Sequence, residues 1–95
     1  MNARDAHGRF RVAVTGVGVK SPAGNTPEEA FQTFLAAKST AATVDRLAAE
    51  AVPVRFACLV APFEPEAYLT RREARQIDRV TLLALCAAAD AVTDA

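Results

Sequence analysis

The run from Arg11 to Val19, Arg-Val-Ala-Val-Thr-Gly-Val-Gly-Val, constrains this chain more than any other stretch. It is β-branched and apolar with almost no alternation, the pattern of a strand covered on both faces, as in layered α/β folds. Two covering layers are a large demand on 95 residues. A chain of that length supports one modest core, so it is one domain or part of one.

A second run makes the same demand. From Val80 to Val92 the sequence is rich in alanine and leucine and apolar nearly all round, which predicts a helix buried from several sides. The rest of the chain offers few surfaces to bury it. Neither run reads as a membrane span or a signal peptide: Val12 to Val19 is short and broken by glycine, and the ten residues from Val80 to Ala89 lie between Arg79 and Asp90.

Between these runs the helix signals are local. Thr26, Pro27 and Glu29 spell a capping box with proline at the first helical position, and Phe31, Phe34 and Leu35 form an apolar stripe that needs a partner. Residues 44–51 predict one or two loose helical turns. Val54 to Val60 predicts a second short strand, with Phe56, Cys58 and Val60 on one face and Arg55, Ala57 and Leu59 on the other, ended by Pro62. Residues 64–69 predict a turn of helix, and Thr70 with Glu73 repeats the capping-box spacing. Residues 1–10 are a polar leader.

Charge excludes several function classes. Eleven basic residues balance eleven acidic ones, so no global field draws in nucleic acid or an anionic membrane. The only histidine, His7, sits in the leader, and the two cysteines, Cys58 and Cys86, lie in apolar settings with no CxxC. No metal or cofactor site can be assembled from them. They read as reduced, buried thiols of a cytoplasmic protein.

The mixture of glycine, lysine and serine around Lys20 invites a phosphate, and the spacing refuses it. A dinucleotide fingerprint needs a third glycine at the mouth of a helix; here Ser21 and Pro22 follow, and the helix starts only after Thr26. A P-loop needs a glycine before the lysine, and Val19 stands there. Gly16 and Gly18 are instead places where another backbone comes too close for a side chain.

Val14-Thr15-Gly16-Val17-Gly18, Ser21-Pro22 with Gly24-Asn25-Thr26, Phe63-x-Pro65-x-x-Tyr68-Leu69, and Glu73-Ala74-Arg75 before Asp78-Arg79 occur in that order. Together they resemble the N-terminal part of the β-ketoacyl-acyl carrier protein synthases, the condensing enzymes of fatty acid and polyketide biosynthesis. Lys20, Thr40, Cys58 and Gln76 depart from the family's usual residues and suggest a divergent branch.

The resemblance implies an α/β chain that is the N-terminal part, incomplete, of a thiolase-like layered fold, usually homodimeric, with residues 11–95 a truncated N-terminal segment of the synthase domain. It implies acyltransferase chemistry in which an active-site cysteine takes an acyl chain from acyl carrier protein and two histidines assist decarboxylation of a malonyl thioester. Those catalytic residues come later in the family than Ala95, and neither Cys58 nor Cys86 matches the nucleophile. The chain alone is therefore expected to be an inactive fragment with no catalytic residue and no cofactor. The resemblance also implies acyl carrier protein as a partner, docking on basic residues at Arg71, Arg72 and Arg75. The alternative is a solvated face whose arginines pair with Glu66, Glu73 or Asp78. Two other readings stay open: a fragment of a non-catalytic chain-length-factor partner, and a stand-alone small α/β binding protein.

Overall fold

The computed structural model describes every residue except Met1, Asn2, Glu50 and Val52. Its helices begin where side-chain caps put them. Helix α1, Pro27–Leu35, starts on Thr26, whose Oγ1 accepts from the Glu29 N–H at 3.2 Å. The Glu29 carboxylate returns the bond one residue early, accepting from the Asn25 N–H at 3.0 Å. At the other end the Lys38 N–H reaches Thr33 O and the Ala37 N–H reaches Phe34 O, a Schellman closure that puts alanine at φ 51 where glycine is usual.

A two-residue antiparallel pair follows, β1 (Ala42–Thr43) against β2 (Phe56–Ala57), with Ala42 opposite Ala57 and Thr43 opposite Phe56. The short helix α2, Asp45–Ala49, lies between them and matches the turns expected over 44–51, of which Glu50 is outside the described residues. A single 3-10 turn at Pro65–Ala67 precedes α3, Arg71–Arg75, which Thr70 caps by accepting from the Glu73 N–H at 3.1 Å. Helix α4, Arg79–Asp94, restarts on Asp78, whose Oδ1 accepts from the Thr81 N–H at 3.0 Å. Hydrogen bonds from Thr81 hold the Asp78 carboxyl below its ordinary value.

Both expected strands are corrected. Arg11 to Val19 joins no ladder among the described residues, because no second strand lies beside it; β1 and β2 pair only with each other. Val12 and Val14 stay 88% and 84% exposed. The strand expected from Val54 to Val60 contracts to Phe56–Ala57, since its one neighbour is two residues long. Cys58, expected to be buried, is exposed; Cys86 is fully buried. Of the leader, Asp5 makes a tight turn, accepting from the His7 and Arg9 N–H groups at 2.8 and 2.9 Å; Met1 and Asn2 lie outside the described residues.

Among the described residues the buried apolar ones are Ala30, Leu82 and Cys86. Phe31, Phe34 and Leu35 find no cover, nor do Val80 and Val92 on α4. The chain exposes 7489 Å², where a globule of its mass exposes about 5,200 Å². Its radius of gyration is 18.0 Å, against about 12 Å for a compact chain of this length. Helices with a small sheet agree with the α/β class; the covering layers demanded by the two apolar runs are not supplied by these residues.

Candidate functional site

A long-range contact between the glycine segment and α4 sets the frame of the site. A Cβ on Gly18 would sit 2.0 Å from Ala87 O, and one on Gly16 would sit 2.2 Å from Ala91 O. Two residues of extended chain rise about 6.6 Å, and four residues of helix rise about 6 Å. The two glycines therefore meet successive turns of α4 in step, and the close backbone approach expected at them is what the structure shows.

Past this contact the chain delivers Lys20. Its Nζ donates to Asp90 Oδ2 at 2.8 Å and to Asn25 O at 3.0 Å, with the side chain 4% exposed. Tyr68 Oη donates to the same Asp90 oxygen at 2.9 Å. The rings of Tyr68 and Phe63 stand 5.1 and 5.4 Å from the ammonium, within cation–π range. One turn further along α4, Asp94 Oδ2 accepts the Val17 N–H at 3.0 Å. Asn25 secures the other side, its Nδ2 donating to Ala61 O at 2.9 Å and Pro62 O at 3.1 Å.

The charges here are matched and spent. Burial works against the Lys20 ammonium, yet its hydrogen bond to Asp90 and the nearby Tyr68 hydroxyl outweigh it and hold Lys20 above its ordinary value. The Lys20 hydrogen bond, opposed by burial and assisted by Tyr68, holds the Asp90 carboxyl below its own. A lysine so placed is protonated and neutralised. It is neither an amine nucleophile nor a free cation for a phosphate, which agrees with the spacing that refused both phosphate motifs. An open groove of about 480 Å³ runs beside it, lined by Asn25, Thr26, Tyr68, Asp90 and Asp94 among others.

The basic residues singled out in the sequence lie elsewhere, on α3. Arg71, Arg72 and Arg75 are all exposed. Arg71 Nε stands 4.0 Å from Glu66 Oε1, a solvated contact. Glu73 is occupied by Thr70, and the Asp78 carboxylate caps α4. Among the described residues Arg72 and Arg75 have no ion-pair partner, so two of the three guanidinium groups are uncommitted.

Burial pushes the Cys86 thiol up, with Lys20 and Arg79 pulling against it and Asp90 adding to it, so it is no ready thiolate. Among the described residues no group of histidine, cysteine and carboxylate side chains could hold a metal ion. What the sequence reading missed is the lysine node itself. Its one available signal was Asp90 and Asp94, the only charged side chains after Arg79, spaced one helical turn apart in a stretch with no charge between Arg79 and Asp90.

Comparison with known proteins bears on all of this. Residues 9–95 match the family described as the N-terminal domain of β-ketoacyl synthase. The chain is 34% identical over 84 residues to 3-oxoacyl-[acyl-carrier-protein] synthase 2 of Vibrio cholerae, covering 88% of this chain and 20% of that protein. It is likewise 34% identical over 85 residues to the protein of the same name from Synechocystis sp., covering 90% of this chain and 20% of the relative. The Staphylococcus aureus protein of that name, strain MRSA252, is 34% identical over 86 residues, 90% of this chain and 21% of its own length. The chain thus spans about a fifth of the length of the curated relatives it matches.

Proposed function

Because the chain belongs to the β-ketoacyl synthase family through its N-terminal domain, we propose that it is the opening segment of a 3-oxoacyl-[acyl-carrier-protein] synthase. The observation that carries this reading is the match of residues 9–95, nearly the whole chain, to the family's N-terminal domain. The activity proposed for the whole enzyme is condensation of an acyl thioester with a malonyl unit on acyl carrier protein, in fatty acid or polyketide assembly by a cytoplasmic homodimer. Two free thiols fit a reducing compartment, and no helix among the described residues is long and apolar enough to cross a membrane.

For these 95 residues alone we propose no condensation. Neither thiol is a prepared nucleophile, one being buried and pushed up, and the other lying on a short exposed strand end with no histidine near it in sequence. Offered an acyl-carrier thioester and a malonyl thioester, the chain is expected to form no ketoacyl product above the buffer control; product formation overturns the reading. The excess exposed surface supports a segment made to be covered, and counts against a stand-alone binding module.

The part of the enzyme's work proposed to reside here is reception of the acidic carrier protein by Arg71, Arg72 and Arg75. Exposed pairs give at most about 1 kcal/mol each and are screened by salt. In a synthase carrying this segment, Arg72→Glu with Arg75→Glu is expected to raise the carrier-protein KM about tenfold and to leave kcat nearly unchanged. An unchanged KM removes the patch from the docking surface.

A further inference from the structure

Leu82, Cys86, Asp90 and Asp94 form a single row along α4, each one turn beyond the last. The first two are buried and the last two are carboxylates that hold the same crossing segment, Asp94 by the Val17 N–H and Asp90 by the Lys20 ammonium. The neighbouring row, Ala87, Ala91 and Ala95, receives the glycines. Glycine on alanine permits contact but buries little apolar area, and the segment joins no strand ladder. Beside the partial cover of Val17 and Val19, two polar contacts hold it down. Cys86 lies next to the Gly18 seat at Ala87 and close enough to Lys20 and Asp90 for both charges to act on its thiol.

We propose that Asp90 and Asp94 form a two-point clasp that keeps residues Gly16 to Lys20 on α4 and so closes Cys86 from solvent. The segment is a strap held at two places, and opening it is a local event that leaves α4 intact. Asp94 is the exposed half of the clasp and the one that can be cut without stranding a buried charge. Lys20 keeps Asp90 and Asn25 when it is removed.

The test is the rate at which a maleimide labels Cys86 in a synthase carrying this segment, in a background where Cys58 and every other accessible cysteine is replaced by serine. Asp94→Ala is expected to raise that rate about tenfold, since a hydrogen bond to a charged acceptor is lost. Asp94→Asn retains an acceptor oxygen and is expected to stay within about threefold of the parent. Amide exchange in the middle of α4, measured on the same proteins, is expected to remain unchanged. Equal labelling rates in the parent and Asp94→Ala overturn the clasp. So does a rise matched by equally faster exchange throughout α4, which is global unfolding rather than release of a strap.

Discussion

Gly18→Ala is expected to cost the folded chain about 3 kcal/mol or more, the upper range for forcing atoms into an occupied site. The added Cβ would stand 2.0 Å from Ala87 O and 2.7 Å from Ala91 N, both backbone atoms of a regular helix that cannot turn aside. Gly16→Ala meets Ala91 O and Ala95 N in the same way and should behave alike. Gly8→Ala is the control: nothing lies within 4 Å of its would-be Cβ, and only its φ of +78 is unfavourable. Thermal unfolding followed by circular dichroism should show a drop of more than about 10 °C for Gly18→Ala and a small one for Gly8→Ala. Equal midpoints for Gly18→Ala and the parent would show that the segment does not rest on α4.

That contact was legible from sequence in kind but not in place. A glycine in a strand pattern signals a close backbone, and here it signalled correctly; which backbone approaches depends on pairing Gly18 with Ala87 and Gly16 with Ala91, 69 and 75 positions apart. Of the caps, that of α4 by Asp78 was not read; two were legible, since Thr26 with Glu29 and Thr70 with Glu73 act within one turn. The strands were not. Ladder formation needs a partner, and neither Val12 to Val19 nor Val54 to Val60 finds one of its own length among the described residues. The two cysteines show the same limit, alike in sequence setting and opposite in exposure.

The second large effect is expected at Lys20. Lys20→Ala should destabilise the chain by about 2 kcal/mol, because Asp90 keeps its charge and loses its cation. Lys20→Met combined with Asp90→Leu should recover most of that loss, since an apolar pair of similar volume replaces a desolvated ion pair. Urea unfolding of Lys20→Met, Asp90→Leu and the double variant yields the coupling; additive losses would mean the pair acts as two unrelated surface charges. Proton linkage offers an independent check. The Asp90 carboxyl is held below 3.8, so its stabilisation is present above that value and is lost as pH falls through the depressed one. Lys20 is held above 10.5, so its share is present below that value and is lost as pH rises through the raised one. Stability from this pair should be flat between the two limits and fall beyond each, and the double variant should lack both falls.

We propose that Lys20 is also one of the positions at which this chain departs from its family, the resemblance implying an apolar residue there. An apolar residue there would pack against α4 without needing Asp90 or the Tyr68 hydroxyl. Lysine brings three distant pieces to one oxygen-rich point: the turn at Asn25, the end of the 3-10 turn at Tyr68, and α4 at Asp90.

The sequence separation of that bond has a consequence for how the protein is made. Lys20 and Asp90 lie 70 residues apart. At bacterial or eukaryotic elongation rates roughly 4 to 14 s pass between the emergence of Lys20 and that of Asp90 from the ribosome, during which the apolar run from Val12 to Val19 has no helix to lie on. Over that interval the run is open to a holding chaperone, and slowing elongation between the emergence of Lys20 and that of Asp90 should lower soluble yield.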